Sequence, residues 1–259
     1  MGSCFVSSDV LRNLIRSILL EEGVEVFSAD SVAQGLLHAS LRGIDSHGIR
    51  LLPHYLRGLK GGRINHKPRF VFNKTSVSTG KLDGDHAFGH ASGVEGMNRA
   101  IEMATDAGSG HVAVYNSSHF GAAAFFALLA AKRDMIGMCF TNATPHVLTS
   151  GGKRAFFGNN PICFVAPCEG EEPFCLDMAT SAITFNRVLQ HKESNVPIPA
   201  DSVADANGNP TTDPDSAKYL LPIGDYKGYG LSMMVDVFCS LLSGMPCGID
   251  VSEMYSDKM

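Results

Sequence analysis

Gly108-Ser109-Gly110-His111-Val112-Ala113 is the stretch that decides the fold. It is the nearest match in the chain to the glycine-rich fingerprint of dinucleotide-binding βαβ units. That fingerprint works only after a strand and before a helix, where a pyrophosphate meets a helix N-terminus. Here the order is reversed. Ala91–Ala107 reads as a helix, with Val94, Met97, Ile101 and Ala104 on one stripe, and His111–Tyr115 reads as a strand. The glycines therefore read as a helix C-terminal turn, and the chain carries no dinucleotide-binding fingerprint. A G-K-S/T phosphate loop is also absent.

Upstream, the pattern is helical. Ser8-Asp9 can cap a helix bearing Leu11, Leu14, Ile15, Ile18 and Leu19 on one face. A second helix is expected from Asp30 to about Arg42, and a short one after Pro53, closed by Gly61-Gly62. Downstream, strands and helices mix. Phe70–Thr79 is strand-like and Gly84–Gly89 a loop. Gly121–Asp134 is an Ala-rich helix and Met135–Thr141 a buried strand. Ile162–Ala166 and Phe174–Leu176 are short strands. Thr180–His191 reads as helix, Asn195–Asp215 as a long surface excursion, and Lys227–Ser243 as an apolar helix. The expectation is an α/β (mixed α+β) protein: a mixed sheet flanked by helices, with a helical domain over 1–68 and an α/β domain over 69–259.

With 259 residues, 44% apolar and 18% charged, the chain can bury a substantial core. No apolar run approaches the roughly 20 residues of a membrane span. The first residues lack the layout of a secretory signal, and Val6 spoils a myristoylation motif that begins at Gly2. Net charge is −5, with Lys and Arg scattered rather than striped, so neither nucleic acid nor membrane is an expected partner. None of the seven cysteines forms a C-x-x-C pair, which disfavours structural zinc and fits thiols in a reducing cytoplasm. Three N-x-S/T sequons, at Asn73, Asn116 and Asn142, are read as chance.

Five clusters can carry chemistry. Asp45-Ser46-His47-Gly48-Ile49-Arg50 packs an acid, a hydroxyl, an imidazole and a guanidinium into one loop. Arg can clamp a carboxylate with two parallel hydrogen bonds, and His can move a proton near neutral pH. The bland alternative is a polar surface turn. Asn116-Ser117-Ser118-His119-Phe120-Gly121 follows a strand and opens a helix, whose dipole would favour a neutral imidazole. The alternative is a capping Ser118 with an incidental His. Gly151-Gly152 and Gly158-Asn159-Asn160-Pro161 can cradle an anion or admit a cofactor to the backbone, or be an ordinary loop. Asp177-Met178-Ala179-Thr180-Ser181 falls at a strand–helix junction, where Asp177 is either functional or an N-cap. Lys227-Gly228-Tyr229-Gly230 opens the last helix. A lysine there opposes the dipole and adds no stability, which makes an anionic ligand plausible; the alternative is a merely exposed side chain.

In this order the clusters resemble the type 2 malate/L-lactate dehydrogenase family, which includes ureidoglycolate and sulfolactate dehydrogenases. The resemblance spans nearly the whole chain and is best at Gly43–Arg50, Ser118–Gly121, Gly151–Pro161, Leu176–Ser181, Pro210–Pro214 and Lys227–Leu231. It implies a non-Rossmann mixed sheet that binds NAD or NADP, and hydride exchange with a small 2-hydroxy or 2-oxo acid. It implies His119 as general base, His47 as the second active-site histidine, and Arg50 with Ser46 on the substrate. It further implies Ala143, Asp177, Met178, Ala179 and Lys227 at the cofactor, with no metal, in a cytoplasmic homodimer. Some relatives carry Ser where this chain has Ala143. Members of the family continue beyond the position of Met259. Two other readings stay open: a metal-dependent lyase or hydrolase using His47, His119 and Asp177, and a shortened, non-catalytic binding protein.

Overall fold

A computed structural model describes residues 5–254; the possible myristoylation site at Gly2, and Cys4, lie outside them. The chain forms two compact units, one ending at Met135 and the other spanning Ile136–Met254. The 68/69 boundary expected from the sequence falls inside the first unit, where helices from both sides of it pack on one another.

The first unit starts with α1 (Ser8–Glu21), α2 (Val26–Leu41) and α3 (Leu52–Lys60). Ser7, not Ser8 or Asp9, caps α1: its Oγ accepts the Val10 N–H at 3.3 Å. α2 begins four residues before the expected Asp30. The Glu25 carboxylate accepts the N–H groups of Phe27 and Ser28 at 3.0 and 2.7 Å, so a glutamate takes the role usually left to Ser or Asp. Pro53 sits in the first turn of α3, as expected.

A three-stranded sheet follows, in the order β1 (Val71–Lys74), β2 (Thr79–Ala87), β3 (His111–Ser117). β1 and β2 are antiparallel, β2 and β3 parallel, and α4 (Gly89–Ala107) makes the crossover. β2 runs through the segment expected as loop, because an irregularity between Asp83 and Ala87 absorbs the positive φ of Asp85 and His86. Gly108 ends α4 in the left-handed region (φ 78°), its N–H on Ala104 O, and β3 starts at His111. The glycine-rich stretch is thus a C-cap. α5 (Ala124–Ala131) closes the unit. Ile15, Leu36, Tyr55, Leu82, Phe88 and Phe126 form its buried interior.

The second unit holds two sheets. One has the order β4 (Gly137–Phe140), β7 (Ile162–Ala166), β8 (Phe174–Met178), all antiparallel. The other has the order β10 (Pro210–Thr211), β9 (Val203–Ala204), β11 (Tyr219–Leu220), β5 (Val147–Leu148), β6 (Ala155–Phe157), with β11 and β5 parallel. The stretch expected as a surface excursion therefore contributes two strands. Ile198, buried with Val147, Val188, Val203 and Leu220, anchors it; apolar burial outweighs the turn-rich composition. α6 (Phe185–Ser194) starts five residues later than expected. The residues before it are held in extended form by a Ser181–Pro222 bridge and by Ala182 N–H on Leu221 O. α7 (Tyr226–Asp236) continues through a π-helical turn, Val237–Leu241. Among the described residues no helix is long and apolar enough to cross a membrane.

Candidate active site

Two of the five clusters meet in the first unit. Asp45–His47 and Ile49–Leu51 are single 3₁₀ turns between α2 and α3. Ser40 Oγ accepts the Ile49 N–H at 3.0 Å, tying this loop to α2. His47 is half-buried and its Nδ1 lies 2.9 Å from Ser46 Oγ. Arg50 is exposed, so its guanidinium keeps access to an anion.

His119 lies in the loop between β3 and α5, and its ring stacks on His47 with centroids 5.6 Å apart and planes at 24°. Its Nδ1 is 2.8 Å from the Tyr55 hydroxyl. Tyr55 comes from the buried face of α3 and is 1% exposed; a buried phenol needs a hydrogen-bond partner, and here it is the imidazole. Sequence reasoning missed Tyr55. The available signal was its position among Leu52 and Leu59 on the apolar stripe of α3, where a hydroxyl has to be satisfied.

The expected source of His119's neutrality needs correcting. α5 begins only at Ala124, too far along to act through its dipole, which fades within one turn. Burial is the main cause that holds His119 well below the ordinary histidine range, and His47, His90, His54 and Arg63 add to it. Ser118 does not cap α5 either. Its hydroxyl donates to Ala87 O and accepts the Gly89 N–H, both at 3.0 Å. It thereby satisfies the first free N–H of α4 and pins the His119 loop to that helix. A Cβ at Gly89 would collide with Ser118 O and His119 O, so glycine is required there. Asn116, at φ 48°, donates from Nδ2 to Asp83 Oδ1 at 3.0 Å and fixes the turn before it. His54, Tyr55, Arg63, Ser118 and His119 line a small cleft together with Gly58 and Ile64.

The other three clusters converge in the second unit. Asp177 and Met178 lie within edge strand β8, opposite Cys163 and Ile162, which overturns the reading of Asp177 as a helix cap. Asp177 and Lys227 are exposed, Met178 and Ala179 half-buried. The Gly158–Pro161 stretch acts as a clamp. Asn159 O accepts both the N–H and the Oγ1–H of Thr180, at 2.9 and 3.0 Å. Asn160, fully buried, accepts the Ala143 N–H on Oδ1 and donates from Nδ2 to Ser232 O, both at 3.1 Å. A side chain at Gly158 would collide with Ala143 O. Thr180 Oγ1 also meets Ser232 Oγ of α7 at 2.6 Å, and Thr180 O accepts the Ile223 N–H at 2.9 Å, just before Lys227. Ala143, the Asp177–Ala179 segment and the start of α7 are thus held by one buried polar frame, in which Asn160 lies in a cluster the sequence marked out and Ser232 does not. Nearby, burial pushes the Asp236 carboxyl up, although it accepts the Gly248 N–H at 2.9 Å.

A neutral imidazole held by a phenol, with a second imidazole alongside, is the equipment of a general acid–base enzyme. Comparison with known proteins gives the class its name. The family model for malate/L-lactate dehydrogenase matches residues 6–259. The NAD(+)-dependent ureidoglycolate dehydrogenase of Escherichia coli is 37% identical over 252 residues, 97% of this chain and 72% of that protein. The malate dehydrogenase of Pyrococcus abyssi is 38% identical over 92% of this chain and 68% of its own length. The sulfolactate dehydrogenase structure from Methanocaldococcus jannaschii superposes with a TM-score of 0.93 at 35% identity, covering 98% of this chain and 74% of that one. The chain belongs to the malate/L-lactate dehydrogenase family, and it is an oxidoreductase.

Proposed function

We propose that this protein transfers a hydride between NAD or NADP and a small 2-hydroxy or 2-oxo acid, with His119 as the base. The observation that carries the reading is the Tyr55–His119–His47 arrangement, in a chain that shares its family with malate, sulfolactate and ureidoglycolate dehydrogenases. In this reading His119 carries its N–H on Nδ1 and donates it to the Tyr55 oxygen, which leaves the Nε2 lone pair for the substrate hydroxyl. Nε2 takes the hydroxyl proton as the carbinol carbon loses hydride, and returns it in the reductive direction. His47, oriented by Ser46, contacts the same hydroxyl. Arg50 pairs with the substrate carboxylate through its two parallel N–H donors.

The residues of the second unit fit a dinucleotide. Ala143, Asp177, Met178, Ala179 and Lys227 stand accessible or half-buried on a frame that is itself buried and hydrogen-bonded. An exposed carboxylate suits a ribose, and a lysine in the first turn of α7 suits a phosphate or a carboxamide oxygen. When bound, the nicotinamide supplies the hydride acceptor, the part of the chemistry that no side chain provides. The division of labour proposed is thus substrate groups from the helical segment and the His119 loop, and cofactor groups from the second unit. A cytoplasmic homodimer completes the reading. Met233, Val237, Phe238 and Leu241, exposed along α7 and its π turn, supply apolar surface that a second copy would cover, and light scattering after gel filtration tests this.

The test of activity is absorbance at 340 nm. NADH and NADPH are offered with a panel of 2-oxo acids, and NAD and NADP with malate, lactate, sulfolactate and ureidoglycolate. One acid turning over with one cofactor establishes the reaction. Cofactor binding with no turnover on any panel member would sink the assignment and favour the non-catalytic reading.

A further inference from the structure

His90, in the first turn of α4, is 1% exposed, and neither ring nitrogen has a hydrogen-bond partner among the described residues. Burial, helped by His47, lowers its pKa to about 3, so it is neutral at any working pH and moves no proton. An unsatisfied imidazole is costly to bury, and an aliphatic side chain would avoid that cost. What the ring does have is position. It stands edge-on to Tyr55, centroids 5.5 Å apart and planes at 86°, and close to Phe125 and Phe126. A Cβ at Gly121, two residues after His119 in the same loop, would lie 2.5 Å from His90 Nε2. A Cβ at Gly35, in the middle of α2, would collide with His90 Cδ2. Two bare backbones therefore close on the same edge of this ring.

We propose that His90 is a positioning residue for the Tyr55–His119 pair, the wedge that sets how closely α2, the 119–121 loop and Tyr55 approach one another. The proposal rests on the reading of His119 as base. Shortening His90 lets Gly121 move inward and releases one side of Tyr55, so the 2.8 Å bond to His119 Nδ1 loses its alignment. The groups that face His119 are His47 from the 3₁₀ turn, His54 and Tyr55 from α3, Arg63 just beyond it, and His90 from α4. Burial opposes its protonation most, with positive charge on His47, His54 and Arg63 adding to it, while the neutral His90 contributes position. A loosened, wetter site raises the midpoint of His119 toward the ordinary value of about 6.5.

The experiment follows the His119 ring by NMR titration in the wild type, His90→Ala and Gly35→Ala, alongside kcat, cofactor Kd and the pH dependence of kcat/KM. Gly35→Ala keeps His90 but presses a methyl against its ring, in a substitution that would otherwise favour the helix. Both variants are expected to raise the His119 midpoint, move the acid limb of the oxidation profile to higher pH, and lower kcat about tenfold or more, within the range of general-base catalysis. Cofactor Kd stays at its wild-type value. The double variant recovers part of the loss, because the methyl added on α2 occupies the space His90 leaves. A core residue with no positioning role would lower stability without moving the His119 midpoint. If His90→Ala fails to fold, Gly35→Ala and His90→Asn carry the test. A folded variant with the wild-type midpoint and kcat overturns the proposal. Full turnover in His119→Ala would remove the base assignment instead, and the NMR midpoint would still judge His90.

Discussion

The two units handle polar groups in opposite ways. In the first, the rings grouped around His119 are themselves withdrawn from water: Tyr55 and His90 are buried, His119 and His47 half-buried. In the second, of the positions assigned to the cofactor, Asp177 and Lys227 are exposed and Ala143, Met178 and Ala179 half-buried, while the residues that hold them, Asn160, Thr180 and Ser232, are fully buried. The difference suits the tasks proposed for them. A base must have its protonation tuned, and removal from water is the strongest means available. A binding surface for a long, polar ligand has to be reachable but held in shape, so the rigidity is placed one layer down.

Removing the base puts this contrast under the greatest pressure. His119→Ala should lower kcat by about 10²–10⁴-fold and leave cofactor Kd unchanged, measured by stopped-flow and calorimetry. Equal losses in both quantities would mean that the units do not divide the work. Next, Asn160→Ala strips the frame of two hydrogen bonds, to Ala143 N–H and Ser232 O. Leaving such buried groups unsatisfied costs about 1–3 kcal/mol each, so weaker cofactor binding and a lower Tm are expected, while kcat at saturating cofactor is largely kept. A wild-type Kd in Asn160→Ala would show that the frame does not hold the cofactor segments.

A third prediction concerns Tyr55→Phe, which keeps the ring and removes only the oxygen on His119 Nδ1. A fall of roughly tenfold in kcat is expected, near the worth of one hydrogen bond to an ionising group, and substrate KM should move less. A fourth prediction concerns stability against pH. His38 and His90 have folded pKa values lowered to about 4 and about 3. Below about 6.5 the unfolded chain binds protons that the folded chain refuses. Stability should therefore be full above pH 6.5 and decline from there towards pH 4. The slope is at most about 1.4 kcal/mol per pH unit for each group, and less for the half-exposed His38. Urea midpoints between pH 4 and 8 check this, and a flat profile would mean that neither imidazole is as dry as the structure has it.

Much of the fold was legible along the chain. The reversed context of Gly108–Ala113 marked those glycines as a helix end and not a dinucleotide fingerprint, because a left-handed C-cap followed by a strand is a local matter. The errors came where a distant partner outvoted local composition. The segment 195–215 looked like a loop, yet Ile198 is pulled into the core with Val147, Val188, Val203 and Leu220. Thr180–Thr184 looked like the start of a helix, yet Ser181 and Ala182 bond to Pro222 and Leu221. One error was local instead: Glu25 capped α2 earlier than expected because its carboxylate reaches the N–H groups two and three residues on.

Reading the chain alone was enough to name the candidate residues and their order, from Ser46-His47 and Arg50 through His119 to Asp177 and Lys227. It was enough for the mixed α/β class too, because hydrophobic period and turn residues are written locally. What those groups do to one another emerged only from the packed molecule. Tyr55 and His119 are 64 positions apart in the chain, yet their polar atoms lie 2.8 Å from each other. The neutrality of His119 comes from burial and surrounding positive charge rather than from its own helix. Desolvation and hydrogen bonding depend on which surfaces close over a group, and that is fixed only when segments distant in the chain pack together.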